Sequence, residues 1–189
     1  MSSHHIVREK QEPALLILGL DNFDDEHLGQ LLEWSPTLIA TALMAEKLNA
    51  YGIKVDWIIT DDANTDLQSD IKYLPIGDKT IIEAALQYLI TQGYPSVNII
   101  TDDFDLTTYL SFAAQINLAI FYDQQKTYAV NSGFNKWKPA DEIIRTISTE
   151  NNLTTTGLEQ ISPDTYRTIA DGIFSLKFND PVLFISETL

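Results

Sequence analysis

The 189-residue chain is 44% hydrophobic and 21% charged, the balance of a folded protein rather than a disordered one. Its 27 Asp and Glu against 12 Lys and Arg leave a formal charge of −15, a surface that repels nucleic-acid phosphates and anionic membranes. The absence of cysteine excludes disulfides and thiolate zinc sites, and with His4-His5 at the start only His27 remains, too little for a histidine-based centre. No apolar stretch approaches the roughly 20 residues that span a bilayer. The opening "MSSHHIVREKQEPA" has no hydrophobic core of a secretory signal. The expectation is a cytoplasmic protein with no nucleic-acid or membrane partner.

In chain order, "ALLILGL" (14–20) reads as a buried strand ending in Gly and Asp. "DDEHLGQLLEW" (24–34) has Leu28, Leu31 and Leu32 at helical spacing, and its leading acids suit the positive end of a helix. "PTLIA" (36–40) is a second strand, and "ALMAEKLNAYG" (42–52) a helix stopped by Gly52. "KVDWIIT" (54–60) and "DIKYLPI" (70–76) are extended. "DKTIIEAALQYLITQG" (78–93) is the clearest helix, with Ile81, Ile82, Ala85, Leu86 and Leu89 on one face and Gly93 at its end. Then come a strand "SVNIIT" (96–101), a helix "LTTYLSFAAQI" (106–116) and a strand "NLAIFYD" (117–123).

Strands alternating with helices predict an α/β fold, a parallel sheet with helices on both faces in three layers. Ligands of such sheets sit beyond the carboxyl ends of the strands. Asp21, Asp61, Asp62, Asp102, Asp103 and Asp123 all follow predicted strands, so parallel strands would line them along one rim. The remainder changes character. "KTYAVNSG", "DEIIRTIST", "NLTTTGLEQ", "GIFSLKF" and "PVLFISE" are short, rich in Thr and β-branched residues, and broken by Gly, Pro and Asn. The organisation expected is an α/β nucleotide-binding-like domain over 1–124 and a small all-β, sandwich-like domain over 125–189.

The pentapeptide Ile-Ile-Thr-Asp-Asp occurs twice, at 58–62 and 99–103. Magnesium takes hard oxygen ligands, often one or two carboxylates with substrate phosphates, so such pairs could bind a metal. Asp and Thr after a strand also cap helices and build turns. Gly77-Asp78-Lys79-Thr80 has part of a phosphate loop without its earlier glycine. The simpler reading is a helix start with Gly in the turn, Asp78 as cap and Lys79 in solvent.

Taken together, "SSHHIVREKQEPALLI", "LGQLLEWSP", "YGIKVD", "WIITDD", "GDKT" opening a helix, "VNII", "KWKPA" and "DGIFSLKFNDPVLFIS" resemble the thiamine pyrophosphokinases, and particularly bacterial members, over nearly the whole chain. The resemblance implies an α/β nucleotide-binding domain followed by a β-sandwich. It also implies a homodimer with the active site between subunits, and transfer of pyrophosphate from ATP to the thiamine hydroxyl with Mg²⁺. On the matching positions it implies Asp61 and Asp78 as metal-binding and catalytic carboxylates, Lys79 as a catalytic cation, and Thr80 and Asp105 as cofactor-binding residues.

Each chemistry-bearing motif is eroded. The family's Asp-Gly after the second strand falls on Ala42-Leu43. Its G-D-x-D-S falls on Thr60-Asp61-Asp62-Ala63-Asn64, and its D-K-T-D on Asp78-Lys79-Thr80-Ile81. Its G-R-x-D-H meets "TDDFDL", with Asp103 in place of Arg, Asp105 in the Asp slot and Leu106 in place of His. Pyrophosphoryl transfer is mostly positioning and charge neutralisation, so an Asp for an Arg beside a polyphosphate is a severe change. Three functions stay open. The first is a catalytically degenerate relative that binds nucleotide or thiamine diphosphate. The second is an active Mg²⁺- and ATP-dependent thiamine diphosphokinase, and the third a homodimeric interaction protein without a small ligand.

Overall fold

A computed structural model describes residues 10, 12–62, 71–147 and 152–189. They fall into two compact units, one running to Asp103 and the other beginning at Phe104. The fold is mixed α/β, with extensive sheet and few helices.

The first unit contains β1 (Ala14–Ile17), α1 (Asp25–Leu32), β2 (Leu38–Thr41), α2 (Ala42–Ala50), β3 (Trp57–Ile59), β4 (Lys72–Leu74), α3 (Ile81–Thr91) and β5 (Ser96–Ile100). Its strands are ordered β5-β1-β2-β3-β4. All neighbouring pairs are parallel, with Leu16 opposite Ile39 on one side and Ile99 on the other. All four residues of β1 are fully buried, which explains its unbroken apolar sequence: a central parallel strand is covered on both faces.

Helix starts follow local chemistry. Asp24 caps α1 by accepting the N–H of His27 at 2.9 Å, as its leading acids predict. Chain passes directly from β2 into α2, where the Thr41 hydroxyl accepts the N–H of Met44. Gly52 and Gly93, beyond α2 and α3, take the left-handed φ of +74° that terminates helices. The buried face of α3 is Ala84, Ala85, Leu86 and Leu89, while Ile81, expected on that face, is exposed. Burying Leu86 and Leu89 stabilises by about 1.5–3 kcal/mol each.

The second unit opens with α4, which covers Leu106–Leu110 and not the expected 106–116. The Gln115 side-chain amide donates to the Ser111 carbonyl at 3.0 Å, taking the acceptor that a continuing helix would use. The rest is strand: β6 (Asn117–Tyr122), β7 (Gln125–Val130), β8 (Phe134–Lys138), β9 (Ile143–Thr146), β10 (Thr154–Thr156), β11 (Leu158–Ser162), β12 (Thr165–Thr168), β13 (Gly172–Lys177) and β14 (Leu183–Thr188). Within this unit one run is ordered β11-β12-β9-β14-β7-β6, and a separate sheet is ordered β10-β13-β8. The pairings are antiparallel. Val130, Ile144 and Ile185 from the first sheet meet Phe174 and Leu176 from the second in one core.

Asp123 does not lie on a parallel-strand rim. With Gln124 it forms the two-residue turn between β6 and β7, and their φ values of 48° and 58° are those of a tight hairpin that matches strand twist.

Candidate functional site

Both copies of Ile-Ile-Thr-Asp-Asp fold the same way. The Thr60 hydroxyl accepts the N–H of Asp62 at 3.0 Å and donates to its carbonyl at 3.4 Å. Thr101 does the same with Asp103, at 3.2 and 2.7 Å. Each threonine closes a small turn at the end of its strand. The first acid of each copy then reaches sideways. Asp61 accepts the amides of Ile76 at 2.8 Å and Gly77 at 3.1 Å, just beyond the neighbouring strand β4. Asp102 accepts the amide of Asp21 at 3.0 and 3.2 Å and that of Asn22 at 3.3 Å, beyond the neighbouring strand β1. Amides past a strand end have no ladder partner, and a carboxylate is their strongest acceptor.

Asp102 sits so tightly under its loop that Gly19 is required there. A Cβ on Gly19 would lie 2.1 Å from Asp102 Oδ2 and 2.7 Å from the Asp102 amide nitrogen. The loop so held presents Asp21 to Lys47 of α2, at 2.7 Å. The Asp21 hydrogen bond, with the Asp102 charge adding to it, raises the Lys47 pKa. Beside this pair is an open depression of about 280 Å³ whose lining includes Leu20, Phe23, Leu28 and Tyr51.

The Gly77-Asp78-Lys79-Thr80 segment is a turn with Gly77 at φ +61°, and Asp78, Lys79 and Thr80 are exposed. Because Asp61 holds the Gly77 amide, it is tied to the loop that carries Asp78 and Lys79. The helix cap is Thr80, not Asp78. The Thr80 hydroxyl accepts the N–H of Glu83 at 3.2 Å. Glu83 Oε2 in turn accepts the N–H and hydroxyl of Thr80 at 2.8 and 2.9 Å, which lowers the Glu83 pKa. In the second unit Asp105 caps α4, taking the Thr107 hydroxyl at 2.6 Å and its N–H at 3.0 Å; both bonds lower its pKa.

Three of the five residues expected at a Mg²⁺–nucleotide site already have partners within the protein. Thr80 and Asp105 are committed within their own helix starts, Asp61 Oδ1 is committed to the 76–77 loop, and Ile81 supplies no acid. Among the described residues no three His, Cys, Asp or Glu side chains are grouped to hold a metal ion.

Sequence reasoning missed a charged cluster in the second unit. Glu187, buried on β14, is paired with Lys136 and with Lys138 of β8, the latter at 2.9 Å. Strand alternation carries the signal: Leu183, Ile185 and Glu187 share one face of β14, and Phe134, Lys136 and Lys138 share one face of β8.

No protein-family model and no curated protein matches the sequence. Solved structures do match. Thiamine pyrophosphokinase from Bacillus subtilis is 13% identical with a TM-score of 0.70, over 94% of this chain and 99% of that one. The yeast thiamin pyrophosphokinase is 11% identical with a TM-score of 0.68, over 97% and 88%. The enzyme from Candida albicans is 10% identical with a TM-score of 0.67, over 94% and 89%. With TM-scores of 0.67–0.70 over nearly the whole of this chain, it has the thiamine pyrophosphokinase fold.

Proposed function

We propose that this chain is a thiamine pyrophosphokinase-like protein that keeps the fold, has lost pyrophosphoryl transfer, and retains binding of nucleotide or thiamine diphosphate as a cytoplasmic homodimer. The carrying observation is the use made of the inherited polar groups. Asp61, Thr80 and Asp105 each accept backbone amides at 2.8–3.2 Å, work that stabilises loops and helix starts. A site for phosphoryl chemistry needs such groups turned toward the substrate, with cations to offset its charge. Here the position of the family's Arg holds Asp103, so the cation that would offset charge developing during the transfer is missing.

The test is incubation of purified protein with Mg²⁺, ATP and thiamine. The expected result is no AMP or thiamine diphosphate above a blank, together with a raised melting temperature in millimolar MgATP or thiamine diphosphate. Sustained formation of both products would overturn the loss of catalysis. No melting shift with either ligand would remove the binding claim. Light scattering tests the dimer, and a monomer mass would remove it.

A further inference from the structure

The core of the second unit is apolar at one end and ionic at the other. Pairing of β7 with β14 sets Val130 opposite Leu183, Tyr128 opposite Ile185 and Lys126 opposite Glu187. Across from them β8 brings Phe134, Lys136 and Lys138. The Tyr128 and Phe134 rings meet edge-on at 6.1 Å, where the apolar end stops. Beyond it, two ammonium groups hold the Glu187 carboxylate, and Lys126 stands opposite Glu187 in the sheet. Lys136 is bonded to Glu187 and donates to the Tyr128 hydroxyl at 3.3 Å. Lys138 reaches Glu187 at 2.9 Å and Glu142 at 3.4 Å.

Lys126 is the exception. It lies 5.7 Å from the Phe121 ring centre and 5.9 Å from that of Tyr128, and among the described residues it forms no ion pair. Burial, with the charges of Lys136 and Lys138, lowers its pKa, and Glu187 offsets this in part. A partly buried cation ordinarily has a counter-charge. Glu187 is already shared between two lysines, and Glu142 serves Lys138. The cluster therefore has more cations than carboxylates in a chain whose net charge is −15. The Lys136 side chain is 35% exposed, so the cluster opens to solvent.

We propose that Lys126 and Lys136 bind a small phosphate-class oxyanion at this ionic end. The anion takes the place of the missing carboxylate: its oxygens accept from two ammonium groups already held by ring contacts and by Glu187, so little side-chain freedom is lost on binding. The site uses none of the strand-end acids and stands or falls independently of the catalytic reading.

The experiment is calorimetric titration of the whole protein with inorganic phosphate, and separately with pyrophosphate, at constant ionic strength in chloride. Saturable binding is expected for wild type. Lys126→Met and Lys136→Gln should each weaken it by about tenfold or more, while Lys177→Met, on an exposed position of β13, should leave it unchanged. Absence of saturable binding to wild type overturns the proposal without recourse to any variant. Equal weakening by Lys177→Met also overturns it, because the effect would then be general charge. Circular dichroism checks folding of each variant, and either lysine variant alone suffices.

Discussion

Replacing Asp102 by Ala should destabilise the first unit, whereas replacing the adjacent Asp103 should not. Asp102 takes the amides of Asp21 and Asn22 in three contacts of 3.0–3.3 Å, while Asp103 is exposed and contributes its backbone to the Thr101 turn. A hydrogen bond to a charged group contributes about 1.5–3 kcal/mol where water is excluded. Asp102 is only partly buried, so water recovers part of that for both amides, and about 2 kcal/mol is expected for the side chain as a whole. In a chain of this size that is a fall of about 4–8 °C in melting temperature. Asp61→Ala, which frees the amides of Ile76 and Gly77, should cost about 1–2 kcal/mol. Asp103→Ala should stay within about 0.5 kcal/mol. Urea unfolding followed by circular dichroism gives the three values. Hydrogen exchange adds a local readout, since Asp21 and Asn22 amides should lose protection only in Asp102→Ala. If Asp103→Ala costs as much as Asp102→Ala, the difference assigned to the two acids is wrong.

Two further outcomes follow from the same geometry and from the ionic cluster. Gly19→Ala puts a methyl against the Asp102 backbone nitrogen, which cannot rotate away, and should cost about 2 kcal/mol by urea unfolding. Combined with Asp102→Ala it should cost less than the sum, since the two share one contact; strict additivity would refute the clash. Burial pushes the Glu187 carboxyl up, but its bonds to Lys136 and Lys138 outweigh that and hold it below the ordinary range. A depressed folded pKa means its contribution is present above the unfolded value of about 4.3 and is lost as pH falls through the folded value. Glu187→Gln should therefore cost about 3 kcal/mol at pH 7 and flatten that part of the acid limb. Wild-type stability in the variant at pH 7 would contradict the ion-pair assignment.

The parallel strands were legible because a strand covered on both faces must be apolar throughout, as "ALLI" of β1 and "LIA" of β2 are. The ends of helices at Gly52 and Gly93 were legible for the same kind of reason, a backbone conformation that few other residues adopt. β8 and β12 carry no clear strand signal, because "FNKWK" and "TYRT" mix polar and aromatic residues and draw their stability from the strands beside them. The sequence places acids at strand ends, but the direction in which a carboxylate turns depends on the loop next door. Asp102 and Asp21 lie 81 residues apart, and no local pattern joins them. By contrast, Thr80-Ile81-Ile82-Glu83 is a capping box in plain view, and Asp78 competes with it in the sequence because Asp also caps well.

The sideways-reaching acids also bear on how the strands find their alignment. A strand with one wet face is aligned by its own alternation, since a one-residue slip exposes every apolar side chain. β1 has no such safeguard, because all its side chains are buried and a slipped neighbour would meet leucine or isoleucine as before. A slip of one residue does move the strand by about 3.3 Å, enough to carry Asp102 off the amides it accepts. The carboxylate thus acts as a register pin at the strand's far end, fixing by polar geometry what a uniformly apolar strand leaves undetermined. Asp61 does the same for β3 against β4.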